Sequence, residues 1–278
     1  RKVLKTRVIT ALWLAPLAFL LVFALPTEWF TLALGAVLII GAWEYQKLAA
    51  LGGGLAGWLL VAIQAILFGV FLLYPEVFEE QALIVLTAAV AAWLLMLTRL
   101  RGFHAGKPPD TRFRVLSFAC SLLSITFAWF ALAWLHAQEH GSWWILALLL
   151  IIWAADTGAY FTGRAFGRHK LAINISPGKT LEGLGGGLLA AAVIGWAAIS
   201  YLPLEQSGRM IWLLLAALTA LFSVGGDLFI SLHKRTSGFK DSGHIFPGHG
   251  GVLDRLDSLL AGAPLFALGV LLLSSNGT

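Results

Sequence analysis

The stretch "SWWILALLLIIWAADTGAYF", residues 142–161, contains a single ionisable carboxylate, Asp156, among mostly apolar residues. A helix that crosses the hydrocarbon core of a bilayer needs roughly 20 such residues. The rest of the chain has the same character, since 59% of its 278 residues are hydrophobic and 12% are charged. Soluble domains carry about 25% charged residues. The composition therefore predicts an integral membrane protein.

Nine stretches are long and apolar enough to span a membrane. No low-complexity linker or internal repeat separates them, so we expect one all-α bundle of about nine transmembrane helices. The predicted spans are residues 8–25, 29–45, 55–74, 82–98, 115–135, 142–161, 182–202, 210–229 and 258–274. We divide the chain into N-terminal spans, residues 1–135 with about five helices, and C-terminal spans, residues 136–278, which carry the chemistry.

The basic residues fall almost entirely on one side of this bundle. With the N-terminus in the cytoplasm, every Lys and Arg except Arg209 lies in the N-terminal segment or in a cytoplasmic connection. The positive-inside rule then predicts a cytoplasmic N-terminus and an outside C-terminus, and we expect the bundle to lie in a bacterial-type plasma (inner) membrane. Two cytoplasmic connections, residues 162–181 and 230–257, are long and rich in glycine and charge. This sidedness explains the net charge of +5 without a nucleic-acid partner.

Three carboxylates adjoin these two long loops. Carboxylates at membrane depth are costly and usually functional, so we take these as candidates. They are Asp156, Glu182 and Asp227. Glu44 also ends a predicted span, but pairing with the nearby Lys47 would account for it.

Asp227 belongs to the most informative helical pattern. If its helix continues beyond the predicted span, four polar side chains stack on one face at spacings of four, four and three residues. They are Ser223, Asp227, Ser231 and Lys234. The competing interpretation is a helix-end aspartate paired with Lys234 or Arg235.

The end of the second loop, "GHGGVLDRLDS" (residues 248–258), adds two further aspartates. Asp254 and Asp257 share a helix face at the start of the last span, and helix capping accounts for Asp257 as well as function does. Carboxylates bind Mg²⁺, and Lys and Arg bind phosphate oxygens. His244 and His249 lack the close spacing of a metal site, so we interpret them as polar contacts or as hydrogen-bond partners of phosphate. The loop therefore predicts a site for a phosphate substrate and a hard metal ion.

The first loop repeats this combination of glycine and charge. Its "SPGKT" piece, residues 176–180, is superficially like a phosphate-binding P-loop. That motif needs a glycine five residues before Gly178, where this chain has Ile173, so the P-loop interpretation fails. Lys179 can still bind phosphate as a point charge.

Two segments together resemble a known family. "SLHKRTSGFKDSGHIFPGHGGVLDRLD", residues 231–257, closely resembles the signature of phosphatidate cytidylyltransferases, the CDP-diacylglycerol synthases. "ADTGAYFTGRAFGRHKL", residues 155–171, with the "ISPGKTLEG" that follows, is similar to the second region that the family shares. His233 departs from the pattern, because the family usually has an apolar residue there. The resemblance covers roughly residues 150–260.

The resemblance implies a nucleotidyltransferase of phospholipid biosynthesis. Such an enzyme converts CTP and phosphatidate to CDP-diacylglycerol and pyrophosphate with Mg²⁺, and K⁺ is reported beside Mg²⁺ in the family. The metal ligands that it implies here are Asp227 and Asp254. It also implies a homodimer.

We assign the candidate residues from the resemblance and from their chemistry together. The lipid phosphate is already an anionic nucleophile, so the site needs metal and cations to bring two polyanions together rather than a strong base. The candidate catalytic residues are Asp227, Asp254, Lys234, Arg235, Lys240 and Arg255. The candidate substrate-binding residues are Lys179, Ser231, Asp241, His249, Gly250, Gly251, Asp257, Asp156 and Ser223.

Two other functions stay open at this point. A CTP-dependent transferase acting on another lipid phosphate or alcohol would need a similar head-group site. An ion or solute transporter would also contain intramembrane aspartates and glycine-broken helices, although here the charges gather at one interface. The CDP-alcohol phosphotransferase motif D-G-x-x-A-R is excluded, because no Asp in the chain precedes a Gly.

Overall fold

The computed structural model describes residues 13, 16–103, 107–199, 209–246, 248 and 250–275. In these residues the chain forms long α-helices, one short 3₁₀ turn and one β-hairpin. The helices are α1 (residues 16–24), α2 (Thr27–Leu48), α3 (Leu55–Leu73), α4 (Glu76–Glu80), α5 (Ala82–Leu97), α6 (Thr111–Ala137), α7 (Gly141–Phe166), α8 (Leu181–Ala198), α9 (Arg209–Thr236) and α10 (Leu253–Ser275). The strands are β1 (Lys170–Ala172) and β2 (Ser176–Thr180), and the 3₁₀ turn is Thr98–Gly102.

Eight helices of the described residues are long and apolar enough to cross a membrane. They correspond to the predicted spans from 29–45 to 258–274, so the prediction of an all-α membrane protein is confirmed. The remaining predicted span, residues 8–25, lies partly outside the described residues, and its residues 16–24 are helical. The count of nine stays a prediction.

Two helices run well past the ends predicted for them, which corrects the boundaries of both long loops. α7 continues to Phe166, and α9 continues to Thr236. At 28 residues, α9 is about 42 Å long at 1.5 Å per residue, longer than the ~30 Å hydrocarbon core. Hydropathy therefore marks only part of each helix. The connections shrink from 162–181 and 230–257 to residues 167–180 and 237–252.

The first connection is a β-hairpin, which the sequence analysis did not predict. β1 and β2 pair antiparallel, with Lys170 opposite Thr180 and Ala172 opposite Ser176. Thr180 then caps α8, because its side chain accepts a hydrogen bond from the backbone N–H of Gly183. The hairpin thus leads directly from the end of α7 into the start of α8.

Glycines allow α7 and α8 to pack with their backbones in close approach. A Cβ at Gly158 of α7 would lie 2.8 Å from the carbonyl oxygen of Gly186. A Cβ at Gly187 of α8 would lie 2.7 Å from the carbonyl oxygen of Ala155. This close packing fixes the helix that carries Asp156 against the helix that follows the hairpin.

The core of the bundle lies around α6, α9 and α10. Its largest fully buried side chains include Trp129 of α6, Phe229 of α9 and Phe266 of α10. α10 packs against α5 and α6 as well as α9, so helices from 1–135 and 136–278 share one core. The division of the chain into those two segments stays a prediction.

Candidate active site

A polar cavity of about 310 Å³ lies where α9, α10 and the connection between them meet. α7 contributes one lining side chain, α9 two, the 237–252 connection one and the first turns of α10 four. The lining residues are Asp156, Asp227, Lys234, Asp241, Asp254, Arg255, Asp257 and Ser258. Asp227 and Asp254, far apart in sequence, thus face the same cavity.

Asp227 is paired with a cation from the hairpin. The Lys179 Nζ lies 2.5 Å from Oδ2 of Asp227, and the Ser231 hydroxyl donates to Oδ1 at 3.2 Å. The alternative pairing of Asp227 with Lys234 or Arg235 is therefore wrong. Both side chains of the Lys179–Asp227 pair keep about a quarter of their surface exposed, 25% and 28%.

Asp254 is held more tightly and is more buried. Its Oδ1 accepts a hydrogen bond from Lys234 Nζ at 3.0 Å, and the two side chains are only 6% and 12% exposed. Its Oδ2 accepts from the backbone N–H groups of Ser242 at 2.8 Å and Gly251 at 2.9 Å. Three donors therefore fix the orientation of this carboxylate.

The structure explains why glycines occur next to Asp254. Gly250 has a φ of +81°, a conformation that glycine adopts at little cost. A Cβ at Gly250 would also collide with the Asp254 carboxylate. Gly250 and Gly251 therefore act through the backbone that surrounds Asp254.

Three of the four side chains predicted to form a polar face on α9 lie at or beside the cavity. The helix continues through Asp227, Ser231 and Lys234, and the first and last of these line the cavity. Ser223 is fully buried, and its hydroxyl donates to the Ala220 carbonyl of its own helix at 2.8 Å. The structure does not bring Ser223 to the cavity.

The cavity has more acidic side chains than basic ones. Five of its lining side chains are aspartates and two, Lys234 and Arg255, are cations. With Lys179 counted at Asp227, the carboxylates outnumber the cations by two. Such a surplus suits a divalent cation.

A metal held here would need ligands from outside the protein. No three His, Cys, Asp or Glu side chains in the described ranges lie close enough together to hold an ion by themselves. Mg²⁺ is usually bound by one or two carboxylates together with substrate phosphates and water. The residues present fit that mode, and Asp227 and Asp254 would be the protein ligands.

Two predicted catalytic cations lie elsewhere. Arg235 does not line the cavity; its Nε donates to the Ile175 carbonyl at 3.3 Å. Ile175 is itself buried against Leu228 and Leu232 of α9, so Arg235 helps to hold the hairpin on α9. Lys240 is exposed and does not line the cavity. The predicted residue His249 lies outside the described residues.

Glu182 anchors the hairpin instead of lining the cavity. Its carboxylate accepts from the backbone N–H groups of Arg168 at 3.1 Å and His169 at 3.2 Å. The His169 ring lies 2.6 Å from the same carboxylate. Of the three carboxylates predicted beside the loops, Asp156 and Asp227 reach the cavity and Glu182 fixes the end of α7 to the start of α8.

Glu44 is the residue that sequence reasoning missed, and its predicted pairing with Lys47 is wrong. Glu44 is fully buried and accepts hydrogen bonds from the 237–257 region, whereas Lys47 Nζ lies 4.4 Å from the centroid of the Trp43 ring. The donors are the Ser242 hydroxyl at 2.9 Å, Val252 N–H at 3.1 Å and Leu253 N–H at 2.9 Å. No local signal points to it, because these partners lie about 200 residues away in sequence.

His233, where the family usually has an apolar residue, packs in the interior of the bundle. His233 is fully buried, and its ring centroid lies 4.6 Å from that of Phe229 and 5.3 Å from that of Tyr45. Its Nδ1 lies 2.8 Å from the Phe229 carbonyl oxygen, and the residue does not line the cavity. His233 therefore occupies an aromatic cluster where an apolar side chain would also fit.

Comparison with known proteins identifies close relatives over nearly the whole chain. A model described as "Cytidylyltransferase family" matches residues 5–273. The chain is similar to a phosphatidate cytidylyltransferase of Haemophilus influenzae, at 37% identity over 291 residues, covering 95% of this chain and 97% of that protein. A Pseudomonas aeruginosa protein of the same name is 40% identical over 266 residues, covering 95% and 96%. A Staphylococcus aureus protein of that name is 39% identical over 167 residues, covering 59% and 62%.

Proposed function

The chain belongs to the cytidylyltransferase family, and we propose that it transfers CMP from CTP to phosphatidate, giving CDP-diacylglycerol and pyrophosphate. The names and high coverage of the relatives support this activity. The observation in the structure that supports it most is the acidic cavity that brings Asp227 and Asp254 together with Lys179, Lys234 and Arg255. Carboxylates and cations in one polar cavity suit a metal–nucleotide substrate and an anionic lipid head group.

The place of the cavity also suits the two substrates. Phosphatidate presents its phosphate at the membrane interface, and CTP arrives from the cytoplasm. We propose that the 167–180 and 237–252 connections face the cytoplasm of a bacterial-type inner membrane, which the distribution of basic residues supports. We also propose a homodimer, as the resemblance implies.

The proposed reaction needs no strong base. An ionised phosphate oxygen of phosphatidate attacks the α-phosphorus of CTP and forms the new P–O bond. The bond between that phosphorus and the oxygen leading to the β-phosphate breaks, and its electron pair leaves on pyrophosphate. No proton has to be removed from the nucleophile.

The protein residues divide between positioning and charge neutralisation. Asp254 orients Lys234 through their ion pair, and Lys234 and Arg255 face the cavity as partners for phosphate oxygens. Lys179, beside Asp227, offers a third cation from the hairpin. We propose that Asp227 and Asp254 hold Mg²⁺, with a second ion such as K⁺ nearby. The bound metal would screen the two polyanions and stabilise charge on the leaving pyrophosphate.

Purified full-length protein supplied with labelled CTP and a panel of lipid acceptors tests this function. The panel should contain phosphatidate, another lipid phosphate and a lipid alcohol, with product lipid and pyrophosphate both measured. We expect one CDP-diacylglycerol and one pyrophosphate per CTP consumed, with phosphatidate the best acceptor.

Two outcomes would redirect the proposal. Faster reaction with another lipid phosphate or with the alcohol would show a related CTP-dependent transferase. Solute uptake into liposomes without nucleotide, together with no CTP turnover, would support a transporter.

A further inference from the structure

We infer that Glu44 is a positioning residue of this active site, although it lies on α2 and does not line the cavity. The inference rests on the proposed function, because it concerns how Asp254 is held for that reaction. Glu44 is fully buried, yet it interacts with the 237–252 connection and the start of α10 rather than with its own helix's cations. Its place in the fold therefore needs an explanation beyond a helix-end charge.

Glu44 and Asp254 hold the same short piece of backbone from two sides. Ser242 donates its backbone N–H to Asp254 Oδ2 and its hydroxyl to Glu44 Oε2. The consecutive N–H groups of residues 251–253 are divided in the same way: Gly251 donates to Asp254, and Val252 and Leu253 donate to Glu44. The position of Asp254 is thus coupled to Glu44 through Ser242 and through the start of α10.

The chemistry of this contact requires a carboxylate. Buried charges persist only when they are paired or fully hydrogen-bonded, and in the described part of the chain Glu44 forms no ion pair within 4 Å. It instead accepts three hydrogen bonds, two of them from amides at the N-terminus of α10, where a negative charge is favoured. A neutral glutamine of the same size would turn an NH₂ group toward at least one of these donors.

Two glycines leave the space that the Glu44 carboxylate occupies. A Cβ at Gly243 or at Gly251 would collide with the Glu44 carboxylate oxygens. Both glycines flank the residues that Glu44 binds. The glycine content of the connection is therefore explained in part by the close approach of Glu44, as well as by Asp254.

The first turns of α10 carry four cavity residues, so a displaced helix start moves all of them. They are Asp254, Arg255, Asp257 and Ser258. A misplacement of about 1 Å in a catalytic group can cost on the order of 100-fold in rate. Loss of the Glu44 contact should therefore lower turnover without removing any group that touches substrate.

The test compares Glu44→Gln with Gln64→Leu in the full-length protein. Gln64 is also fully buried, and its Nε2 donates to the Thr126 hydroxyl at 2.8 Å across α3 and α6. Its loss disturbs the bundle without touching the cavity. Two readouts are measured: kcat and KM with CTP and phosphatidate, and amide hydrogen exchange of the 242–253 peptide without substrate.

We expect Glu44→Gln to lower kcat by about 10- to 100-fold, with smaller changes in KM, and to speed exchange of the 242–253 peptide. Gln64→Leu should leave both that exchange and kcat within about twofold of the unaltered chain, because distant sites that share no partners act independently. Equal exchange in the two variants, or near-normal kcat in Glu44→Gln, would overturn the inference.

Ser242→Ala provides a second test if the Glu44→Gln protein does not fold well enough to be purified. It removes the hydroxyl donor and leaves the carboxylate in place, so a kcat loss of roughly 3- to 10-fold is expected, the scale of one hydrogen bond. Unchanged kcat and exchange in Ser242→Ala would count against the inference. If the unaltered chain produced no CDP-lipid, the proposed function would fail, while the exchange comparison would still show whether Glu44 holds this segment.

Discussion

Asp227 and Asp254 should respond differently when each is changed to asparagine, although both face one cavity. Asparagine keeps the size of the side chain and removes its charge. Each change should cut turnover by about 100-fold or more, the scale of losing one electrostatic contact in a transition state. The difference should appear in stability, because the two ion pairs differ in exposure.

The magnitudes follow from the burial of each pair. The Lys179–Asp227 side chains are 25% and 28% exposed, so solvent screens this pair in part even though the Lys179 Nζ atom is shielded. The Lys234–Asp254 side chains are 12% and 6% exposed. Removing one partner of a buried pair costs about 3–5 kcal/mol, because the other charge is left uncompensated. The asparagine oxygen can still accept from the backbone N–H groups of Ser242 and Gly251, as Oδ2 does now, but its NH₂ group then faces the Lys234 Nζ atom.

Thermal unfolding in detergent and CTP turnover on the same preparations test this contrast. Asp110→Asn is the control, since Asp110 caps α6 and does not line the cavity, and asparagine caps equally well. We expect Asp110→Asn to be neutral, Asp227→Asn to be inactive and less destabilised, and Asp254→Asn to be inactive and clearly more destabilised. The double change should be no slower than either single change, because residues that act as one unit are not additive. Equal stability of Asp227→Asn and Asp254→Asn, or near-normal turnover in either, would refute the reasoning.

Three further predictions concern the connections around the cavity. Arg235→Lys should lose less than about tenfold in turnover, because Arg235 makes one hydrogen bond to a hairpin carbonyl; a loss beyond 100-fold would show that it binds substrate phosphate. Gly251→Ala should lower turnover by about tenfold or more, because its Cβ would collide with a buried carboxylate, whereas Gly185→Ala, which meets open space, should not. Lys240→Cys and Glu139→Cys, both at exposed positions, should label from opposite sides of the membrane in a background free of other cysteines; labelling from one side would contradict the topology.

Sequence predicted the parts of this protein that depend on composition and on local spacing. The apolar runs predicted eight spans now seen as helices. The polar face of Asp227, Ser231 and Lys234 followed from helical periodicity, which needs only that the helix continue. Asp227 and Asp254 could be expected near one another because each adjoins an end of the same loop.

The features that sequence did not predict depend on contacts between distant segments. Glu44 binds residues about 200 positions away, and nothing in its own neighbourhood distinguishes it from a surface helix end. The charge of Arg235 is visible in the sequence and indicates a phosphate ligand. Its partner in the structure is a backbone carbonyl of the hairpin, and such a partner leaves no signal in the sequence. The hairpin itself has strands of three and five residues, too short to leave an alternating pattern.

The two ion pairs of the cavity suggest an order in which the site meets its ligands. The Lys179–Asp227 side chains keep about a quarter of their surface exposed, although the Lys179 Nζ atom itself is shielded from solvent. Asp227 faces the cavity, so an incoming ligand can take both partners of this pair: a cation takes the place of Lys179 at Asp227, and a phosphate takes the place of Asp227 at Lys179. The Lys234–Asp254 pair is nearly buried and is held by the backbone of Ser242 and Gly251, so separating it costs several kcal/mol. A metal–nucleotide complex should therefore open the first pair, with its cation shared by Asp227 and Asp254 and its phosphates at Lys179. The second pair stays closed and keeps Asp254 in a fixed position beside the reacting groups.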